Sequence, residues 1–274
     1  MRIILTAVFA LWAASAAAQT GAPVSFSGDG GLTLTGVLYR PSGAGPFPAV
    51  VALHGCGGLC GVGGGVSARH ADWGGRLSAQ GFAVLLPDSF GPRGLGSQCA
   101  ASVRSARASR ERVADARAAL AYLQSLPDIK PGAVSLLGWS NGGSTVLYGV
   151  RPGAEPASGR DFATAVAFYP GCRTPLESGA WRTRLPLLIL VGEADDWTGA
   201  GPCRALAAQA RGRGEPVEFT AYPGAFHDFD HPSAPPRVRK GLGFTLHNTG
   251  EAHTGTDPAA RADALVRVPA FLAR

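Results

Sequence analysis

One pentapeptide constrains this chain more than any other feature: Gly138-Trp139-Ser140-Asn141-Gly142, set between an apolar run and a helix-forming stretch. Ala133 to Leu137 reads as a strand buried on both faces, and the residues after Gly143 read as a helix. A serine held on so sharp a strand-to-helix turn has a strained backbone, and side chains two residues either side would collide with it. The turn also aims the N–H groups of the following helix at whatever the serine attacks. Such a pentapeptide also occurs by chance, but between a buried strand and a helix it makes Ser140 a candidate nucleophile.

The rest of the chain supplies the other strands. Val24 leads into Leu32 to Tyr39, a period-two hairpin strand, and a Pro/Gly-rich break from Pro41 to Pro48 ends it. Ala49 to Leu53 and Phe82 to Leu86 are short apolar strands. Further strands are expected at Ala163 to Tyr169, Leu187 to Val191 and Val217 to Tyr222. Helices are expected at Arg69 to Gln80, Ser102 to Ser125, Cys203 to Arg211 and Ala259 to Leu272. Alternation of this kind calls for an α/β fold with a mostly parallel sheet covered on both faces. The proline- and glycine-rich stretches Arg151 to Arg160 and His231 to Pro236 read as surface loops, so residues 19–274 form one domain.

A serine hydroxyl needs a base within reach, and the base needs an acid to orient it. Both are sought at the C-terminal ends of later strands. His227 follows the Val217 strand in Tyr222-Pro223-Gly224-Ala225-Phe226-His227, and Asp195 follows the Leu187 strand in Gly192-Glu193-Ala194-Asp195-Asp196-Trp197. His231 competes for the first role, and Asp196 and Glu193 for the second. The oxyanion formed on attack needs two N–H donors, expected from the backbones of Asn141 and Cys56, each worth about 3 kcal/mol to the transition state. Arg93 is a candidate for a substrate carboxylate and Trp139 for a substrate contact, each with packing as its alternative. No metal or organic cofactor is called for.

The N-terminus has its own logic. Met1-Arg2 supplies a charge, Ile3 to Ala14 is almost wholly apolar, and Ala16-Ala17-Ala18 precede Gln19. That order is expected of a secretory signal removed near Ala18, because the apolar run falls short of the roughly 20 residues that span a bilayer. A periplasmic or secreted destination favours disulfides, and five cysteines leave one over. The expected bridges are Cys60–Cys99 and Cys172–Cys203.

The charge of +6 comes from arginine, since only Lys130 and Lys240 among the 25 basic residues are lysine. Arg104, Arg107, Arg110, Arg112 and Arg117 fall at spacings that suit the exposed side of a helix. No compact basic module accompanies them, so a nucleic-acid partner is not expected. The serine chemistry instead seeks a small ester or lactone, with a serine peptidase or acyltransferase on the same scaffold, or a non-catalytic binding protein, as the alternatives.

Taken together, His54-Gly55-Cys56-Gly57-Gly58, Pro87-Asp88-Ser89-Phe90, the serine pentapeptide, and the Asp195 and His227 segments resemble the dienelactone hydrolase branch of the α/β-hydrolases. The resemblance runs from about Val24 to Leu272 and implies an α/β-hydrolase sheet with Ser140, Asp195 and His227 as its triad. It also carries departures. The best-known members use cysteine where this chain has Ser140. They hold that thiol with a glutamate, absent here from Leu53-His54-Gly55. Of their two carboxylate-binding arginines, Arg93 stands near one and His231 stands in the place of the other.

Overall fold

A computed structural model describes residues 20–274; the expected signal segment lies outside the described residues. Eight strands form the main sheet: β1 (Ala22–Ser27), β2 (Thr33–Tyr39), β3 (Phe47–Leu53), β4 (Ala83–Asp88), β5 (Ile129–Trp139), β6 (Ala165–Phe168), β7 (Leu187–Gly192) and β8 (Val217–Tyr222). Their order in the sheet is β1-β2-β4-β3-β5-β6-β7-β8. Pairings within β1-β2-β4 are antiparallel, and every pairing from β4 through β8 is parallel. The chain is thus an α/β fold with a mostly parallel sheet.

Alternation along the strands divides the core into two layers. Ala49, Val51 and Leu53 of β3, with Val134 and Leu136 of β5, face one side. There they meet α2 (Glu111–Gln124), α3 (Asn141–Gly149) and α5 (Ala200–Gly212) through Leu120, Leu147 and Leu206. Val50 and Ala52, with Leu137 and Trp139, face the other side. That layer is closed by α1 (Ala68–Ala79) and α6 (Pro258–Leu272) through Trp73, Leu77, Val268 and Phe271. A one-residue slip in β3 or β5 would exchange the two layers, so the register is fixed by burial.

Two parts depart from the sequence reading. The helix expected from Ser102 begins only at Glu111, because Glu111 folds back to accept from the Arg107 backbone N–H at 3.0 Å. The stretch before it is irregular, tied by Arg104 to the Gln98 carbonyl at 3.1 Å. A small antiparallel pair, β9 (Arg237–Arg239) with β10 (Ala252–Thr254), has no counterpart in the strand pattern read from the sequence. At three residues each, these strands are too short to show a period.

The cysteine pairing also differs. Cys56 is bonded to Cys99, with Cα atoms 4.9 Å apart, and Cys60 is a free, exposed thiol. The reason is where the chain goes after β3: the Gln98 N–H donates to the Cys56 carbonyl at 2.8 Å, laying the two segments side by side. Cys60 has by then turned outward, bridged to Val66 across a glycine-rich loop. The second bridge joins Cys172 to Cys203. Among the described residues no helix is long and apolar enough to cross a membrane.

Candidate active site

In a parallel sheet, ligands gather beyond the carboxyl ends of the strands. Four such ends converge here. Ser140 follows β5, Asp195 lies three residues beyond β7, His227 five beyond β8, and the His54–Cys56 loop leaves β3.

Ser140 has φ 53° and ψ −113°, a conformation costly for any residue with a side chain. Its N–H donates to the Phe168 carbonyl at 2.9 Å, and its own carbonyl starts α3 by accepting from Ser144 at 2.7 Å. The glycines make the turn sterically possible. A methyl at Gly142 would overlap the Leu53 carbonyl, and one at Gly138 would overlap the Gly142 backbone. Gly55 lets the β3 loop pass close by, since a methyl there would stand 3.5 Å from Ser140 Cβ.

His227 Nε2 lies 3.0 Å from Ser140 Oγ, and its Nδ1 lies 2.8 Å from Asp195 Oδ2. The imidazole is wholly buried and packed between Tyr169 and Trp197, with ring centroids at 4.4 and 4.6 Å. Asp195 is saturated with donors: Oδ1 accepts from the N–H groups of Trp197 and Thr198 at 2.9 and 3.0 Å, and Oδ2 from Thr198 Oγ1 at 2.9 Å. Burial alone would raise its pKa, but His227 and the Thr198 donors outweigh burial and hold it below the usual carboxylate value.

The competing residues are occupied elsewhere. Asp196 accepts from the His253 backbone at 2.8 Å and meets its Nδ1 at 2.7 Å, tying β10 to the β7 loop. Glu193 pairs with Arg204 at 2.6 Å. His231 caps its own turn, accepting from the Ser233 N–H at 3.1 Å.

Arg93 and Trp139 are given structural tasks. Arg93 clamps the buried Asp115 with both terminal nitrogens, at 2.8 and 2.9 Å, and donates to the Ser89 carbonyl. It lines neither cavity that opens on Ser140. Trp139 has no exposed surface, and its Nε1–H donates to Asp230 at 2.8 Å. The same buried carboxylate accepts from Trp73 Nε1 at 2.8 Å and Tyr169 Oη at 2.5 Å, which locks the aromatic layer behind His227.

Two cavities meet at Ser140 and Trp197. One, of about 310 Å³, lies on the α3 side and is walled by Tyr148, Phe244 and Leu246. The other, of about 340 Å³, contains His227 and is lined by Arg69, His231, Arg237 and Arg239, with Cys56 and Cys60 at its edge. Arg69 is paired with Asp228 at 2.7 Å, while Arg239 lies over the Trp197 ring at 5.0 Å. Arg69, Arg237 and Arg239 were not legible as site residues because they come from segments far apart in the chain. Among the described residues no group of three or more His, Cys, Asp or Glu side chains is placed to hold a metal ion.

A family model described as the dienelactone hydrolase family matches residues 34–274. The chain belongs to the dienelactone hydrolase family. A Synechocystis sp. protein named putative carboxymethylenebutenolidase is 24% identical over 156 residues, covering 53% of this chain. That match spans 60% of the relative's length. Among solved structures, the dienelactone hydrolase-like promiscuous phosphotriesterase P91 from metagenomic libraries is 23% identical, with a TM-score of 0.69 over 94% of this chain and 98% of that one. Esterase 2 of Thermogutta terrifontis, bound to propionate, is 17% identical, with a TM-score of 0.63 over 93% and 94% of the two chains. These likenesses place the sheet and its helices in the fold of the dienelactone hydrolase family.

Proposed function

We propose that this protein is an exported serine hydrolase that cleaves carboxylic esters or lactones through an acyl-enzyme on Ser140. The observation that carries the reading is the line Asp195–His227–Ser140, with contacts of 2.8 and 3.0 Å, at the junction of two cavities. His227 takes the Ser140 proton as Oγ attacks the carbonyl carbon, and Asp195 stabilises the imidazolium. The N–H groups of Asn141 and Cys56 receive the oxyanion. The alcohol leaves with the proton from His227, and water, activated by the same base, releases the acid. His227 lines only the second cavity, so the alcohol portion occupies that side and the acyl portion the side of Phe244 and Leu246.

The basic lining of the leaving-group side, Arg237 and Arg239 above all, favours an ester or lactone that carries a negative charge there. Arg93, bound to Asp115, has no part in this. Export is supported by the signal-like first 18 residues and is compatible with the two disulfides.

Hydrolysis of a chain-length series of p-nitrophenyl esters, by the mature protein and by Ser140→Ala, tests the reading. Turnover lost in the variant is the expected result. Turnover surviving in Ser140→Ala would remove the serine from the mechanism. Absence of turnover by a folded wild type on every ester would remove ester hydrolysis.

A further inference from the structure

Arg112 is a wholly buried cation whose hydrogen bonds reach the two loops that flank Ser140. It sits at the start of α2 with no exposed surface. Among the described residues no carboxylate comes within ion-pair distance of it, and the buried Asp115 is clamped by Arg93. Its Nε has no hydrogen-bond partner. A guanidinium in such a place is costly to desolvate, and the acidic charges that favour it, Asp115 and Asp88, act without touching it. Two strong contacts are what it has. Nη1 donates to Asn141 Oδ1 at 2.6 Å, and Nη2 donates to the His54 carbonyl at 2.7 Å. The Phe90 ring, 5.3 Å from the guanidinium carbon, closes the third side.

These two acceptors belong to the two halves of one device. Asn141 is the residue after Ser140, whose N–H opens α3 toward the substrate oxygen. The His54 carbonyl shares a rigid peptide plane with the Gly55 N–H, so fixing that oxygen fixes how the chain enters Gly55 and Cys56. A planar fork spans the two at a set separation, which a flexible ammonium cannot do. We propose that Arg112 is a positioning residue that holds the Asn141 and Cys56 donors of the oxyanion hole in register. Its charge, set behind the hole in a dry interior, also favours the oxygen as it becomes negative. The inference rests on the serine-hydrolase reading of Ser140.

Its test uses the mature protein and the variants Arg112→Met, Arg112→Lys, Asn141→Ala and the Met/Ala double variant. Folding is followed by circular dichroism and melting temperature. In Arg112→Met, kcat is expected to fall about 10- to 100-fold with KM changed less than about threefold, the scale of a displaced oxyanion donor. Affinity for an alkylboronic acid, which forms a tetrahedral adduct on a serine, is expected to fall in step with kcat. Arg112→Lys should lie between Met and wild type. Asn141→Ala keeps its backbone N–H, yet should lose about tenfold in kcat because the tether is cut. The double variant should be little worse than Arg112→Met alone.

A folded Arg112→Met that keeps wild-type kcat would overturn the proposal, as would a loss confined to KM with boronate affinity unchanged. If Arg112→Met does not fold, Asn141→Ala decides, and unchanged kcat there overturns it. A wild type that turns over no ester sinks the serine-hydrolase reading and this inference with it. Turnover in the wild type with indifferent variants sinks the inference alone.

Discussion

At the scale of single residues, the site is a chain of oriented hydrogen bonds, and each link has a separate chemical consequence. The Asp195 carboxylate, acceptor on both oxygens, requires N–H at His227 Nδ1 and so leaves Nε2 free to take the Ser140 proton. Asp195→Asn would offer an amide N–H to Nδ1 and favour the opposite tautomer. Its kcat on p-nitrophenyl esters is expected to fall about 10³- to 10⁴-fold with the fold intact; a loss under tenfold would mean that Asp195 does not set the tautomer. The meeting of Ser140, Asp195 and His227 was legible from sequence because each follows the end of a strand, and strand ends in a parallel sheet face one region. Arg112 was not. Its spacing from Arg104, Arg107 and Arg110 suits an exposed helix face, whereas in α2 it stands one turn before Ala116 and two before Leu120, on the buried face. Arg93 misled for the complementary reason: its partner Asp115 lies on another element, and sequence does not show pairs between elements.

At the scale of elements, the turn between β5 and α3 is held by backbone proximity, so it tolerates no added atoms. Gly142→Ala would drive a methyl into the Leu53 carbonyl of β3. A loss of about 1 to 3 kcal/mol or more in urea unfolding, or failure to accumulate as soluble protein, is expected. Wild-type stability in this variant would mean that α3 can shift away from β3 at little cost. The Cys56–Cys99 bridge acts on the next element along, the loop after β3. It closes 43 residues, and in the chain-entropy account such a closure contributes about 4 kcal/mol. Because Cys56 is also a proposed oxyanion donor, the Cys56→Ser/Cys99→Ser variant is expected to lose both melting temperature and kcat. The Cys172–Cys203 bridge lies between α4 (Arg173–Glu177) and α5, so its removal should lower melting temperature while kcat at 25 °C changes less than about twofold. Equal effects on kcat from both pairs would contradict the assignment of Cys56. Sequence placed these loops but not the partner of Cys99, since a glycine-rich segment does not announce where it turns.

At the scale of the whole molecule, the sheet covered on both faces was legible because short apolar strands and helices alternate along the chain. The cavities were not, since residues from Arg69 to Leu246 meet only in the folded chain. Burial also gives the molecule a pH dependence. His70 is buried beside Arg69, and burial first, then that charge, lowers its pKa to about 3. His54 is lowered too, by burial and by Arg112; its Nε2 accepts from the Ser89 N–H at 3.1 Å and loses that bond if protonated. Both histidines bind a proton more readily unfolded than folded. Their neutral forms cost nothing above about pH 6.5, and stability falls as pH drops below it, by up to about 1.4 kcal/mol per pH unit for each group, with the His70 share levelling off near pH 3. Melting temperature measured from pH 7 to pH 4 should decline steeply, and His70→Gln should flatten the decline; an unchanged slope would place the acid sensitivity elsewhere. The measurement closest to the central claim is mass spectrometry of the protein quenched in acid during turnover of a slow-deacylating p-nitrophenyl ester. One acyl group per chain is expected, mapped to the peptide containing Ser140 and missing from Ser140→Ala. An acyl group on another residue, or turnover without any covalent adduct under conditions where deacylation is slow, would contradict it.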